Sequence, residues 1–378
     1  MQVQIREMLP NERATVESLF ARNLNFIDRI VFQISFEDTL KRAHRQRGAT
    51  LVAETDGRIV GSVSVKIESV QGKPTGFIDA LISDRDHRGK GVGKSLVSSA
   101  SSWLEERGCG IIYATADRYN SPSWNIFVHL GFSVYEFPEQ LRDYGVSFLR
   151  LWLVEFYFIA FGTFFLRRTR EENRLRETHE TWHIIIAWLG VSLGWWIPVL
   201  LTGRPFMLLP FYSAVVAISI LAHELSQKLA AKRFGLETTF RVWESGLLFS
   251  ILLGTVGSFF PAYGSTYVSK LDWRYEHKKK ENGVLYAAGP VASLILAYSF
   301  RLLTVFMGNV LLTATAKAGF TMNFLMVLFN LIPVQAAGGI VWDGKKILTW
   351  NKMVWLLLTL STALLLTIDQ LLLAQRGI

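Results

Sequence analysis

From Trp182 to the C-terminus the chain is a succession of apolar runs, most of them about 17 residues or longer and so of bilayer-spanning length, whereas residues 1–147 mix charged and apolar side chains. No single water-soluble core accommodates both patterns. Part of the chain has to live in lipid, and the boundary is compositional. Hydrophobic residues make up 50% of the sequence, more than an ordinary soluble protein carries. The net charge of +9 would in a soluble chain point to nucleic acid. Here the Lys and Arg residues cluster beside the apolar runs, where the cytosolic flanks of a membrane protein carry them. The expected partner of that charge is therefore a lipid bilayer, and no nucleic acid.

The one cysteine, Cys109, excludes an internal disulfide and a cysteine-based zinc site, and agrees with a reducing compartment. The first twenty residues contain no apolar stretch of signal-peptide type, so the first domain is expected to stay in the cytosol.

Residues 2–8 and 50–70 alternate as strands do, the second run being broken at Asp56-Gly57, a two-residue hairpin signal. Between them 11–47 reads as helical. A strand at 77–83, an amphipathic helix at 93–108 closed by Gly108 and a strand at 109–116 complete an α/β order. Residues 148–166 approach spanning length but hold Arg150 and Glu155. A crossing there would also strand Arg167, Arg168, Arg170, Arg174 and Arg176 outside. The expectation is a last strand of the soluble domain in the first half and a membrane-surface connection in the second. Spans are expected at 182–202, 206–233, 284–306, 318–334 and 353–374. The short, Gly-rich run 246–262, with Lys270, Arg274 and Lys278 to Lys280 after it, reads as a re-entrant loop.

The stretch Arg88-Gly89-Lys90-Gly91-Val92-Gly93, followed by Lys94, joins the strand at 77–83 to the helix at 93–108. Glycines there let backbone N–H groups approach a pyrophosphate, and the helix N-terminus adds partial positive charge. An ordinary strand-to-helix turn would look the same in isolation. Downstream, NSPSWNIFVHLGF supplies Asn120, Gly131 and Phe132. The two motifs in this order resemble the GNAT acetyltransferase superfamily, over residues 1–157, whose fold is a mixed twisted sheet with helices. That resemblance implies acetyl-CoA as cofactor, bound through Arg88, Gly89, Lys90, Gly91, Val92, Gly93, Lys94 and Asn120, and an amine-bearing acetyl acceptor. It also implies a carboxylate base, which maps onto Asp79; a structural or solvated Asp is the alternative. Phe127 stands where the family often has an acid tyrosine, which leaves Tyr119 and Tyr135 as candidates.

The run His223-Glu224-Leu225-Ser226-Gln227 falls in the cytosolic half of the second span. Ionisable side chains at that depth face the protein interior and mark functional positions, or else a polar contact between helices. In H-E-x-x-H sites two histidines one turn apart bind zinc and the Glu activates water. Position 227 is Gln, whose amide oxygen is a neutral and weaker donor. AHELSQKLAAKRFG, the Gly-rich loop, AAGPVASLILA (287–297) and FNLIPVQAAGGIVWDGKKILTW (329–350) follow one another. In that order they resemble the site-2 protease family of intramembrane zinc metallopeptidases, over 182–374. The resemblance implies an all-α polytopic fold and a transmembrane protein substrate cut by regulated intramembrane proteolysis. It places zinc on His223, Gln227 and Asp343, with Glu224 as the catalytic proton carrier. Ser293 stands where the family commonly has Asn, and the stretch from Pro333 to Asp343, with Gly338-Gly339, is longer than usual. The alternative is a proteolytically inactive, metal-poor homologue in which only acetyl-CoA chemistry survives. The expected organisation is an acetyltransferase domain at 1–157, a basic membrane-surface linker at 158–181 and a membrane domain at 182–378. The first domain and the metal motif would share the cytosolic side.

Overall fold

The strand-like alternation in the first part of the chain folds into one seven-stranded sheet of order β1-β2-β3-β4-β5-β7-β6. Its strands are β1 (Gln4–Glu7), β2 (Gly48–Thr55), β3 (Arg58–Val70), β4 (Lys73–Ser83), β5 (Ile111–Asp117), β6 (Ser133–Val134) and β7 (Thr163–Thr169). The structure is a computed structural model that describes residues 3–118, 120–159, 162–169, 178–268, 279–334 and 342–375. Two units separate at Glu177/Thr178.

In the first unit the turn at Asp56-Gly57 closes the β2–β3 hairpin as expected, with φ of 51° and 73°, both positive as a type I′ turn requires. Gln71 and Gly72, at 49° and 77°, form a second such turn and extend β4 back to Lys73. Every ladder is antiparallel except β4 with β5, which is parallel and limited to Thr75–Ile78 against Ile111–Ala114. Beyond it β4 continues along β3 and β5 along β7. The two central strands therefore part, and a cleft opens at their carboxyl ends, where parallel strands commonly receive ligands. A register shift in β4 opposite Ser62 to Ser64, with Ala80 at φ 48°, bends the strand at this point.

The helices are α1 (Arg13–Asn23), α2 (Phe26–Ala43), α3 (Val92–Glu106), α4 (Ser121–His129), α5 (Phe137–Tyr144) and α6 (Phe148–Val154). The helical stretch expected at 11–47 is two helices, because Asn25 caps α2 by accepting from the Asp28 N–H at 2.8 Å. One sheet face is covered by Val92, Leu96, Val97, Ala100 and Leu104 of α3, the other by Leu19, Phe20 and Phe36 of α1 and α2. Each of the buried Val, Leu and Phe side chains contributes roughly 1.5–3 kcal/mol.

The expected last strand in the first half of 148–166 is instead α6. Phe148, Leu151 and Trp152 recur at helical spacing and bury one face. The strand comes later, as β7, so Arg167 and Arg168 pair in the sheet within the stretch expected to be a surface linker. Arg170, Arg174 and Arg176 lie outside the described residues, as do Tyr119, Lys270, Arg274, Lys278 and Gly338-Gly339.

The second unit comprises α7 (Glu180–Leu201), α8 (Leu209–Arg233), β8 (Thr238–Val242), α9 (Glu244–Thr255), β9 (Gly264–Val268), α10 (Lys279–Phe306), α11 (Val310–Asn330), α12 (Asp343–Trp350) and α13 (Lys352–Gln375). Among the described residues five helices are long and apolar enough to cross a membrane: Glu180–Leu201, Phe206–Arg233, Lys279–Phe306, Val310–Asn330 and Lys352–Gln370. The re-entrant run expected at 246–262 is largely α9. At 12 residues it rises about 18 Å, short of a hydrocarbon core of about 30 Å. The chain then returns through β9 paired with β8. Close backbone approach holds α9 on α7: a Cβ at Gly254 would fall 2.6 Å from the Gly194 carbonyl oxygen, the small-residue contact typical of helices in lipid.

Candidate active sites

After β4 the chain turns through 84–91 into α3. Gly89 and Gly91 have φ of 74° and 84°, and a Cβ at either would meet nothing within 4 Å. Backbone conformation, not space, is what calls for glycine there. Arg88, Gly89, Lys90, Gly91 and Lys94 are exposed while Val92 is buried and pins the helix start. The first N–H groups of α3 lack intrahelical partners and form an anion-binding end. A Cβ at Gly93 would come within 2.9 Å of Ile126, so this glycine serves the packing of α3 against α4. Asn120 caps α4, its Oδ1 accepting from the Ser123 N–H at 3.3 Å.

Asp79 is not a lone carboxylate. Lys66 Nζ lies 2.5 Å from Asp79 Oδ2 and 3.7 Å from Glu155 Oε1, and donates to the Val154 carbonyl at 2.6 Å. Ser35 Oγ donates to Asp79 Oδ2 at 3.1 Å. The side chains of Lys66 and Glu155 are 1% and 0% exposed, that of Asp79 10%, so Asp79 alone of the three reaches toward solvent. Burial works against charge on Lys66, but Asp79 and Glu155 prevail and hold its pKa above the ordinary lysine value. Burial and the neighbouring Asp79 push Glu155 well above the carboxylate range. Sequence reasoning used Glu155 only as an argument against a span and passed over Lys66. The available signal was the alternation Ser62, Ser64, Lys66, which sets a lysine on a buried strand face.

Of the acid candidates, Tyr135 is 1% exposed, stacks on Tyr113 and donates its hydroxyl to Asp143 Oδ2 at 3.1 Å. Burial raises its pKa. Phe127 is a core residue. A cavity of about 460 Å³ lies beside α2, lined by Ile30, Gln33, Ile34, Glu37, Asp38 and Lys41 together with Phe156.

In the second unit α8 presents Ser219, His223 and Gln227 one turn apart, all buried. His223 Nδ1 meets Ser293 Oγ of α10 at 2.9 Å, which leaves Nε2 facing Gln227. Gln227 Nε2 lies 3.3 Å from His223 Nε2 and 2.9 Å from Asp343 Oδ2. Lys346 Nζ holds Asp343 Oδ1 at 3.1 Å and sits 3.4 Å from the Tyr286 ring centroid. Glu224 accepts from Tyr263 Oη at 3.1 Å and from Thr266 Oγ1 of β9 at 2.5 Å. Gly289 backs onto the group, for a Cβ there would fall 2.3 Å from His223 Nε2. The structure thus brings His223, Gln227 and Asp343 to one point with Glu224 next in sequence. Tyr263, Thr266 and Lys346 are the partners that sequence reasoning missed; only Lys346, one turn after Asp343, had a legible spacing.

Among the described residues no three His, Cys, Asp or Glu side chains form a metal-holding group. What converges is an imidazole, a carboxylate and an amide. The Gln227 and His223 end atoms stand 3.3 Å apart, close to the roughly 3.3–3.6 Å that separates ligands around one tetrahedral metal with bonds of about 2.0–2.2 Å, while Gln227 and Asp343, at 2.9 Å, are in hydrogen-bond contact and would have to part slightly to admit an ion. Gln227 Oε1 is buried without a hydrogen-bond partner. A half-turn of the amide would bring that oxygen to the shared point. The set fits a metal ion with two strong donors and one neutral one.

Residues 16–132 match the family model described as the acetyltransferase (GNAT) family. The chain is 32% identical over 154 residues to "Putative zinc metalloprotease MJ0611" of Methanocaldococcus jannaschii, covering 40% of this chain and 76% of that protein. A transcriptional regulator from Bacillus halodurans shares 23% identity over 36% of this chain and 95% of its own, with a TM-score of 0.31. The PaiA N-acetyltransferase from Thermoplasma acidophilum, solved with coenzyme A, shares 14% over 45% and 99%, with a TM-score of 0.33. A GNAT family N-acetyltransferase from Escherichia coli, solved with CoA, shares 21% over 35% and 70%, at 0.29. With its five bilayer-length helices, the chain belongs to the family of the archaeal zinc metalloprotease and carries a GNAT acetyltransferase domain ahead of its membrane helices.

Proposed function

We propose that the first unit transfers acetyl groups from acetyl-CoA to an amine, and that the second is an intramembrane peptidase of site-2 protease type with zinc held by His223, Asp343 and Gln227. The convergence of those three side chains from α8 and α12 carries the second half of the reading.

In the first unit the pyrophosphate binds the 88–94 turn and the start of α3, with Asn120 close to the cofactor. Asp79, the most exposed member of its cluster, accepts a proton from the acceptor ammonium; the freed amine attacks the thioester carbonyl, the C–S bond breaks, and coenzyme A leaves as a thiolate that takes up a proton from solvent. In the second unit, zinc when bound supplies Lewis-acid polarisation of a peptide carbonyl and a more acidic water. Ser293 fixes the His223 ring so that Nε2 faces the metal position. Glu224, oriented by Tyr263 and Thr266, takes the proton from water at its carboxylate and passes it to the departing amine. The substrate is a transmembrane helix, locally unwound to expose a peptide bond. Both units face the cytosol, where Lys228, Lys232 and Arg233 end α8.

One observation favours a second reading, a non-hydrolytic relative that holds membrane segments. The Gln227 amide nitrogen can donate to both His223 and Asp343 while Lys346 neutralises Asp343, so the imidazole and the carboxylate have protein partners with no metal. Cleavage of a reconstituted transmembrane peptide by the Gln227→His protein, with Glu224→Ala as control, separates the two. Cleavage that needs Glu224 supports the peptidase; no cleavage by a zinc-loaded Gln227→His protein supports the second reading.

A further inference from the structure

Helix α6 is apolar on both sides. Phe148, Leu151 and Trp152 are 8%, 0% and 1% exposed and pack inward, whereas Leu149 and Leu153 are 37% and 65% exposed. Val146 and Phe156 continue the outer stripe at 78% and 39%, at helical spacing. A helix that shows a second apolar stripe opposite its buried one calls for a partner on its outer side. Helix α2 repeats the pattern: Phe36 is buried, while Phe26, Ile30 and Ile34 stand one turn apart at 69%, 44% and 50% exposure. The two stripes meet at the cavity of about 460 Å³, where Ile30 and Ile34 face Phe156. Large apolar side chains exposed in a row, not singly, mark an interaction surface.

We infer that this face of the first unit rests on the lipid bilayer into which the same chain inserts. The occupant follows from the chain itself. Ten residues separate Thr169, at the end of β7, from Glu180, at the start of the first spanning helix. They reach at most about 35 Å, so the acetyltransferase domain is always within reach of lipid. The charges beside the stripes suit headgroups. Lys41 and Arg150 are exposed, whereas Glu37 and Asp38 are already paired with Arg13 and Arg42. Phe and Leu in the interface with Lys and Arg at its rim are the pattern of a surface-lying helix. The cavity then opens at headgroup depth.

The test uses the full chain, with Cys109→Ala, in vesicles of phosphatidylcholine and phosphatidylserine. Single cysteines replace Ile34, Leu153 and, as a control in the β2–β3 turn, Asp56, each labelled with bimane. Acyl chains brominated near the headgroup should quench the labels at 34 and 153 and leave that at 56 bright. Equal quenching at all three positions overturns the inference. So does a blue-shifted label at 34 and 153 that bromine does not quench, since protein then covers the face.

Discussion

Gln227 Nε2 lies 2.9 Å from Asp343 Oδ2, joining helix α8 to the start of α12 across 116 residues of sequence. An amide nitrogen therefore stands where imidazole and carboxylate converge. For a metal to enter, the amide must turn, two hydrogen bonds must break, and Asp343 must be shared with the Lys346 ammonium. Buried polar groups that are already satisfied resist such exchange. In the proposed metal centre, protein donors and a metal ion would therefore compete for the same lone pairs.

Gly289 sets how tightly this centre can close. Its missing side chain leaves room for His223 Nε2 and Gln227 Nε2, which a Cβ would approach to 2.3 and 2.7 Å. Gly289→Ala should displace both donors at an overpacking cost of about 1–3 kcal/mol, and lower zinc affinity by roughly 10- to 100-fold or more. Acetyl transfer should be unchanged. Equilibrium dialysis against zinc and a thiol-release assay on the same preparation check the two halves.

Lys66 is expected to be the keystone of the first unit. Lys66→Met leaves Asp79 and Glu155 buried without a counter-charge and should destabilise that unit by about 3–5 kcal/mol. Adding Asp79→Asn and Glu155→Gln should recover most of the loss. The pH dependence has a defined sign. Lys66 and Glu155 both have folded pKa values raised above their ordinary ones. A raised group contributes stability that is complete below its unfolded pKa and is lost as pH climbs through the folded value. The native unit should therefore weaken from the ordinary glutamate range upward until Glu155 has lost its proton, and again above the ordinary lysine range. Lys66→Met should be least impaired in acid, where Glu155 holds its proton. Urea titrations followed by tryptophan fluorescence across pH give the curve.

Gly91 separates conformation from charge in cofactor binding. Its φ of 84° lies where a side chain costs about 1–2 kcal/mol and where asparagine fits better than most residues. Gly91→Glu should abolish acetyl-CoA binding by setting a like charge against the pyrophosphate, and Gly91→Asn should keep most of it. Calorimetry on the detergent-solubilised chain distinguishes them; equal affinity in both variants would remove the loop from the cofactor site.

Most of the architecture was legible because its signals are local. Asp56-Gly57 specifies a hairpin by dihedral preference, the five spans follow from run length, and Arg88 to Gly93 specifies a strand-to-helix turn. What escaped was set by contacts far apart in sequence. Lys66 finds Glu155 across the sheet, and Glu224 finds Tyr263 and Thr266 only once α9 has turned the chain back along β8. The 148–154 stretch was read as strand because its apolar run is continuous; burial of Phe148, Leu151 and Trp152 on one side decides for helix. The site histidine, glutamine and aspartate were nameable from motif order, but the hydrogen bond that joins Gln227 to Asp343 depends on the register of α12 against α8, which no local pattern encodes.

His223, Gln227 and Asp343 are proposed to form a metal centre weakened by the amide at position 227. This is tested most directly by zinc content. The purified full chain, its Gln227→His variant and a Gln227→His, Asp343→Ala double variant are dialysed against the same buffered zinc and measured by elemental analysis. Position 227 is one helical turn from His223 on the same face, so an imidazole there completes an N,N,O set. A centre of this kind should hold substoichiometric zinc in the parent chain, close to one zinc per chain in Gln227→His, and lose it again in the double variant. Gln227→His holding no more zinc than the parent would contradict the proposal.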